Sequence, residues 1–172
     1  ANTIGKQRLS ELCEKYGKGE VIKYSSELQG YSARIMKSVI KKIPDGEYSF
    51  SDYLDDDGMV DKTVRIKVCV SIKGSLVSVD FFGSSGQVDG CVNAVYAVTV
   101  SCVFYVFRCL VENDIPSNAG CMRPISITAP EGSVVNAKAP VAVSGGNVET
   151  SQRIVDVVFG VLSKAIPDRI PA

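Results

Sequence analysis

The stretch Val64-Arg-Ile-Lys-Val-Cys-Val-Ser-Ile-Lys-Gly-Ser-Leu-Val-Ser-Val-Asp-Phe-Phe82 decides how the rest of the chain is read. Val64, Ile66, Val68, Val70 and Ile72 occupy alternate positions, the period of a strand with one face buried. Lys73-Gly74 is a turn, and residues 75–82 form the next strand. Upstream, residues 48–54 also alternate. These runs predict an antiparallel meander of about three strands, with a further short strand at residues 124–128.

On both sides of the meander the period changes to that of a helix. Residues 5–16 place Leu9, Leu12 and Cys13 on one side, and Gly17 punctuates. Residues 20–42 carry an apolar stripe of Val21, Tyr24, Leu28, Tyr31, Ile35 and Val39. Pro44 and Asp45-Gly46 end it. The nearly continuous apolar run 92–107 is a little short for a bilayer span and contains Asn93, Thr99 and Ser101, so it predicts a fully buried core helix over about 93–110. A last amphipathic helix covers about 150–165, with Ile154, Val155, Val158, Val161, Leu162 and Ala165 on its buried side. The chain therefore divides into a helical arm, 1–46, and an α+β domain, 47–172.

Composition removes several functions. Lys plus Arg and Asp plus Glu both count 19, so nothing favours nucleic acid or an anionic membrane. Histidine is absent, which leaves carboxylates, hydroxyls, thiols, Lys and Tyr for any chemistry. The six cysteines show no C-x-x-C or zinc spacing and read as buried free thiols in a reducing, cytoplasmic setting.

Four polar stretches are candidates for chemistry. Asp55, Asp56 and Asp57 are hard oxygen donors for a cation or else a solvated turn; consecutive strand residues diverge, so all three converge only through a bend. Residues 82–90 form a Gly/Ser loop after a strand, either a phosphate cradle or a plain connection. They match neither a P-loop nor G-x-G-x-x-G. Residues 115–124 form a stiff loop carrying Asn118 and Arg123, either a binding loop or a packed turn. Residues 145–160 set Asn147, Glu149, Thr150, Ser151 and Gln152 just ahead of the last helix. One cap needs one side chain, so the excess leaves capping and ligand contact both open.

These stretches combine into something more specific. YLDDDG at 53–58, VDFFGSSGQVDGCVNA at 79–94, DIPSNAGCMRPI at 114–125, APEGSVVNA at 129–137 and GGNVETSQRIVD at 145–156 follow one another with short gaps. Together, over essentially the whole chain, they resemble the B component, or B half, of the hydantoinase/5-oxoprolinase family. That family takes in N-methylhydantoin amidohydrolase, ATP-dependent 5-oxoprolinase and the acetone and acetophenone carboxylases. Its members usually read VDFTG and GPINA, where this chain has Phe82 and Cys91.

The resemblance implies an ATP-dependent cyclic-amide hydrolase. An A-type partner uses ATP and Mg²⁺ to phosphorylate the substrate oxygen, and the B component handles the activated intermediate in a hetero-oligomer. Family B chains are longer, so the chain is expected to be an internal piece. The divalent metal would be held by a His/Asp-rich region outside it, with no cofactor bound by this piece alone and Asp55, Asp56 and Asp57 only weak metal candidates. Asn118, Arg123, Asn147, Glu149, Thr150 and Gln152 are the expected substrate-site residues. A component of a ketone carboxylase and a non-catalytic interface domain are the two alternatives.

Overall fold

A computed structural model describes residues 2–112 and 114–170. Two helices come first, α1 (Asn2–Tyr16) and α2 (Lys18–Ile40), then strands β1 (Gly46–Leu54), β2 (Val64–Lys73) and β3 (Leu76–Asp80). Helix α3 (Tyr96–Cys109), strand β4 (Ile125–Thr128) and helix α4 (Glu149–Ala165) complete the fold, with short 3-10 turns at Ala119–Met122 and Gly145–Asn147. The sheet order is β1-β2-β3-β4. The first three strands pair antiparallel, as their alternation predicts, and β4 adds to β3 in parallel. The fold class is α+β.

The alternation of β2 becomes burial. Val64, Ile66, Val68, Val70 and Ile72 are 0–3% exposed, while their neighbours are half-buried. Helix α4 lies against β1 and β2, and α3 packs against α4. The inner sheet residues, Val103, Val106 and Phe107 of α3, and Ile154, Val157, Val158, Val161 and Leu162 of α4 form one core.

The structure places the α2 stripe and corrects two expectations. The stripe on α2 does not face the core along its length: Tyr24, Leu28 and Tyr31 are exposed, and burial falls on Ser32, Ala33, Met36, Val39 and Ile40. The physical reason is reach, since α2 touches the domain through the Ala119–Met122 turn and β3, and α1 buries no residue at all. Helix α3 is not fully buried either, because Ala97, Ser101, Tyr105 and Cys109, four residues apart, face outward. It begins at Tyr96 because Asn93 serves the preceding loop instead. All six cysteines are free, but only Cys102 and Cys121 are buried; Cys91 and Cys109 are exposed. Among the described residues no helix is long and apolar enough to cross a membrane.

Candidate functional site

Helix α4 is entered from the Gly145–Asn147 turn, and Val148 takes the cap position with no side-chain hydrogen bond. Neither Thr150 nor Ser151 caps the helix. Thr150 is fully buried and its hydroxyl donates to the Val92 carbonyl, fastening the helix to the loop before α3. Ser151 reaches back to the Val148 carbonyl at 3.5 Å. Asn147, Glu149 and Gln152 are exposed, and their side chains form no hydrogen bond with any described residue. A carboxylate in the first turn, as Glu149 is, lies favourably on the positive end of the helix.

Two concave surfaces meet at these residues. Asp55 and Asp56, where β1 ends, face Glu149, Gln152, Arg153 and Asp156 across a cleft of about 310 Å³. On the other side of Gln152 a groove of about 600 Å³ runs between α3 and α4, with Asn147 and Ser151 opposite Ser101, Cys102 and Tyr105. Arg153 is the cation of the cleft. It pairs with Asp52 on the inner face of β1 and lies 3.7 Å from Asp156. Alternation along β1 puts Asp52 in line with Tyr48, Phe50 and Leu54, and a charge on that apolar stripe was the signal in the sequence that α4 supplies a partner.

The groove holds no ready nucleophile. Burial pushes the Cys102 thiol up to about 11, and Cys102 donates to the Ser151 carbonyl at 3.3 Å. A hydrogen bond and the charge of Cys109 also push the Tyr105 phenol up. Both groups stay protonated at neutral pH. What the two surfaces offer is amide donors, carboxylate acceptors and one partly shielded guanidinium, which suit binding and orienting a polar ligand or a water.

The acidic run has a different use at each residue. Asp56 Oδ1 accepts from the Gly58 amide at 2.7 Å. Asp57 is buried; its Oδ1 accepts from Met59 and Val60 at 2.9 and 2.8 Å, and Oδ2 accepts from Gly90 at 3.1 Å. The amides of Val60 and then Met59 hold its carboxyl below the usual carboxylate range. Gly90 is required there: a Cβ at that position would sit 1.8 Å from the Asp57 carbonyl oxygen.

The Gly/Ser loop is also structural wiring. Ser84 Oγ accepts from the Lys67 amide at 3.0 Å, and Ser85 Oγ accepts from the Arg65 amide at 2.9 Å, so the loop extends the pairing on β2 beyond Asp80. Asn93 is its hub. Its Nδ2 lies 2.8, 2.9 and 3.0 Å from the carbonyls of Val88, Gly90 and Ala142, and its Oδ1 accepts from the Val88 amide. Asn118 caps the Ala119–Met122 turn and donates to Ser32 of α2. Arg123 donates to Gln29 of α2 at 2.8 Å. The polar contacts of Asn118 and Arg123 thus run to α2 and not to the cleft at α4.

Residues 1–172 match the family model described as hydantoinase B/oxoprolinase. The chain belongs to the hydantoinase B/oxoprolinase family. It is 42% identical over 169 residues to an uncharacterised protein of Methanocaldococcus jannaschii, covering 98% of this chain and 29% of that one. It is 35% identical to 5-oxoprolinase of Saccharomyces cerevisiae, covering 92% of this chain and 12% of the relative. It is 37% identical to the B component of a putative D-/L-hydantoinase of a Pseudomonas species, covering 100% and 31%. Among solved structures, the ATP-dependent caprolactamase of Pseudomonas jessenii superposes with a TM-score of 0.86 at 27% identity, over 97% of this chain and 29% of that one. Nucleotide-free acetone carboxylase shares the fold, with a TM-score of 0.79 at 16% identity over 94% and 23%. The chain spans less than a third of the length of each of these proteins.

Membership in the hydantoinase B/oxoprolinase family raises the question of a metal and of ATP. The described residues hold no side-chain set that fits a metal. They contain no group of three or more Cys, Asp or Glu side chains that could share an ion, and Asp57 already has both oxygens on backbone amides. The serine hydroxyls of the Gly/Ser loop are bonded to β2, Ser84 Oγ also donating to the Lys67 carbonyl.

Proposed function

We propose that this chain is part of the B component of an ATP-dependent cyclic-amide hydrolase of the hydantoin or 5-oxoproline type. One observation carries the reading. At the start of α4, Asn147, Glu149 and Gln152 stand exposed over two adjoining concave surfaces, with no side-chain partner among the described residues, while Thr150, Ser151 and Arg153 beside them are bonded into the fold. Relatives named as 5-oxoprolinase, as the B component of a putative hydantoinase and as caprolactamase support the reaction class.

An unactivated lactam is a poor electrophile. In this reading an A-type, ATP-using partner phosphorylates the lactam oxygen, water adds to the activated carbon, the ring C–N bond breaks with a proton passing to the leaving nitrogen, and a second water hydrolyses the resulting acyl phosphate to carboxylate and inorganic phosphate. The residues of the B chain orient and do not phosphorylate. The amides of Asn147 and Gln152 hold the polar edge of the intermediate, and the Glu149 carboxylate accepts from the incoming water. Thr150, Asn118 and Arg123 enter as supports: Thr150 sets the helix start, and the other two set the loop against α2.

The test uses the full-length parent protein with its ATP-using partner. ATP-dependent turnover of 5-oxoproline, hydantoins and simple ketones is followed by phosphate release and by product. Ring opening coupled to ATP supports the reading, and Asn147→Ala and Gln152→Ala are then expected to lower kcat/KM by about tenfold to a hundredfold in an assembled complex. Unchanged turnover in both variants removes the site. Bicarbonate-dependent consumption of a ketone would move the protein to the carboxylases. An interface role is favoured by a separate observation, the exposure of Leu9, Leu12, Tyr16, Tyr24, Leu28 and Tyr31 on the arm. If that role were the whole function, arm substitutions would impair assembly and cleft substitutions would leave turnover intact.

A further inference from the structure

We propose that Asp57 is a positioning residue for the cleft at the start of α4. The inference deepens the proposed function and rests on it for its catalytic meaning. Its structural content stands on the contacts alone.

Asp57 sits at a junction. Through the main chain it continues directly from Asp55 and Asp56, which form one wall of the cleft. Through Oδ1 it closes a tight turn on Met59 and Val60, and through Oδ2 it holds the Gly90 amide. From Gly90 the path runs by direct contact to the opposite wall. The Gly90 carbonyl accepts from Asn93, which also holds the Ala142 carbonyl. The Cys91 carbonyl accepts from the Gly145 amide at 2.8 Å, and the Val92 carbonyl accepts from Thr150 in the first turn of α4. The Asn93 carbonyl lies so close to Gly146 that a Cβ there would stand 2.0 Å from it. One buried carboxylate therefore ties the Asp55–Asp56 wall to the backbone segment that carries Asn147, Glu149 and Gln152.

A carboxylate is needed for this and an amide cannot replace it. Asp57 receives three N–H donors on two oxygens. An asparagine offers a single acceptor oxygen and turns an NH₂ group toward the remaining donor, so either the turn or the link to Gly90 is lost.

The experiment compares the chain with Asp57→Asn and with Asp61→Asn, which removes the same charge from the same loop at an exposed position. Backbone amide and side-chain NH₂ resonances are recorded with amide exchange. For Asp57→Asn the Gly90 amide resonance moves upfield. The side-chain amides of Asn147 and Gln152 shift, and exchange across 145–152 quickens about tenfold while residues 157–162 hold their rates. Asp61→Asn leaves all of these in place. Changes confined to residues 56–61 and 89–91 would overturn the proposal. So would matching changes in Asp61→Asn. If Asp57→Asn fails to fold, Asp57→Ser is read in the same way, because its hydroxyl can keep the short turn but cannot span to Gly90. In the full-length enzyme, Asp57→Asn is expected to lower kcat/KM about tenfold with Asp61→Asn unchanged. A parent with no lactam turnover would defeat the proposed function and leave the resonance result to decide the positioning role separately.

Discussion

The loops around α4 and the helical arm are both rich in polar residues and glycine, yet they are built on opposite terms. In the loops many polar side chains are bonded to distant backbone. Asn93 bridges four backbone groups, Asn136 donates to the Ala129 carbonyl, Gln87 accepts from the Lys138 amide, and the loop carbonyl of Val135 accepts from Thr99 of α3 at 2.6 Å. In the arm, α1 buries nothing and its side-chain bonds join near neighbours on the same helix, such as Gln7 and Arg8 to Glu11. The irregular backbone around α4 is therefore a rigid part of this molecule, and the regular helix α1 is the part held least. The lesson concerns where constraint comes from: tertiary hydrogen bonds and close backbone contacts, not regularity.

The sharpest way to break the comparison is to substitute glycine in each region. Gly146→Ala puts a methyl 2.0 Å from the Asn93 carbonyl oxygen, whereas nothing lies within 4 Å of a Cβ at Gly5 or Gly19. Gly146→Ala is expected to cost about 3 kcal/mol or more, read by denaturant midpoint. A midpoint shift under about 1 kcal/mol would show that the loops give way and are not the rigid part.

Asn93→Ala comes next. It leaves the Val88 amide and the carbonyls of Val88, Gly90 and Ala142 without their side-chain partner in a buried setting. The expected loss is about 2–4 kcal/mol by thermal or denaturant unfolding. Asn93→Asp should be worse, since it sets a carboxylate against three carbonyl oxygens. Equal stability of the two variants would mean that water replaces the side chain.

The sign of a pH effect follows from Asp57. Its folded-state pKa is depressed below the ordinary carboxylate value of 3.8, first by the Val60 amide and then by the Met59 amide. A depressed carboxyl contributes stability that is fully present above the unfolded value and is lost as pH falls through the folded one. The Gly90 amide resonance should therefore hold its position at about pH 4 and titrate below it, and Asp57→Asn should abolish that titration. The nearby Lys62 and Asp89 face the same hollow, so the titration is best followed at fixed ionic strength. A midpoint above about 4 would contradict the three-donor arrangement.

How much of this was legible beforehand differs by element. The β2 alternation predicted both the strand and its buried face because one physical signal, a period of two, sets both. The arm's apolar stripe predicted a helix correctly and left its burial open, since periodicity reports which residues share a face and not whether anything covers it. The polar stretches were visible as unusual, but their division was not. Thr150 and Gln152 read alike in sequence, and only the position of the Val92 carbonyl makes the first a fastener and leaves the second free. Asp57 looked like a sibling of Asp55 and Asp56 because its Gly90 partner lies 33 residues away. Arg153 went unread for the same reason, its partner Asp52 lying 101 residues away.

The smallest effect belongs to the arm, and it tests the other half of the comparison. Helix α1 has 15 residues and none of them buried. Isolated helices of that length are marginal in water, so its amides are expected to exchange through local opening rather than global unfolding. Gly5 lies within it with open space around its Cα. Gly5→Ala then favours the helix by about 0.8–1 kcal/mol, slowing amide exchange inside α1 about fourfold to fivefold. The global unfolding midpoint should not move, because the gain is confined to a segment that opens on its own. A midpoint that rises with the local gain would mean that α1 unfolds together with the core, and the arm would then be a cooperative part of the domain despite its exposure.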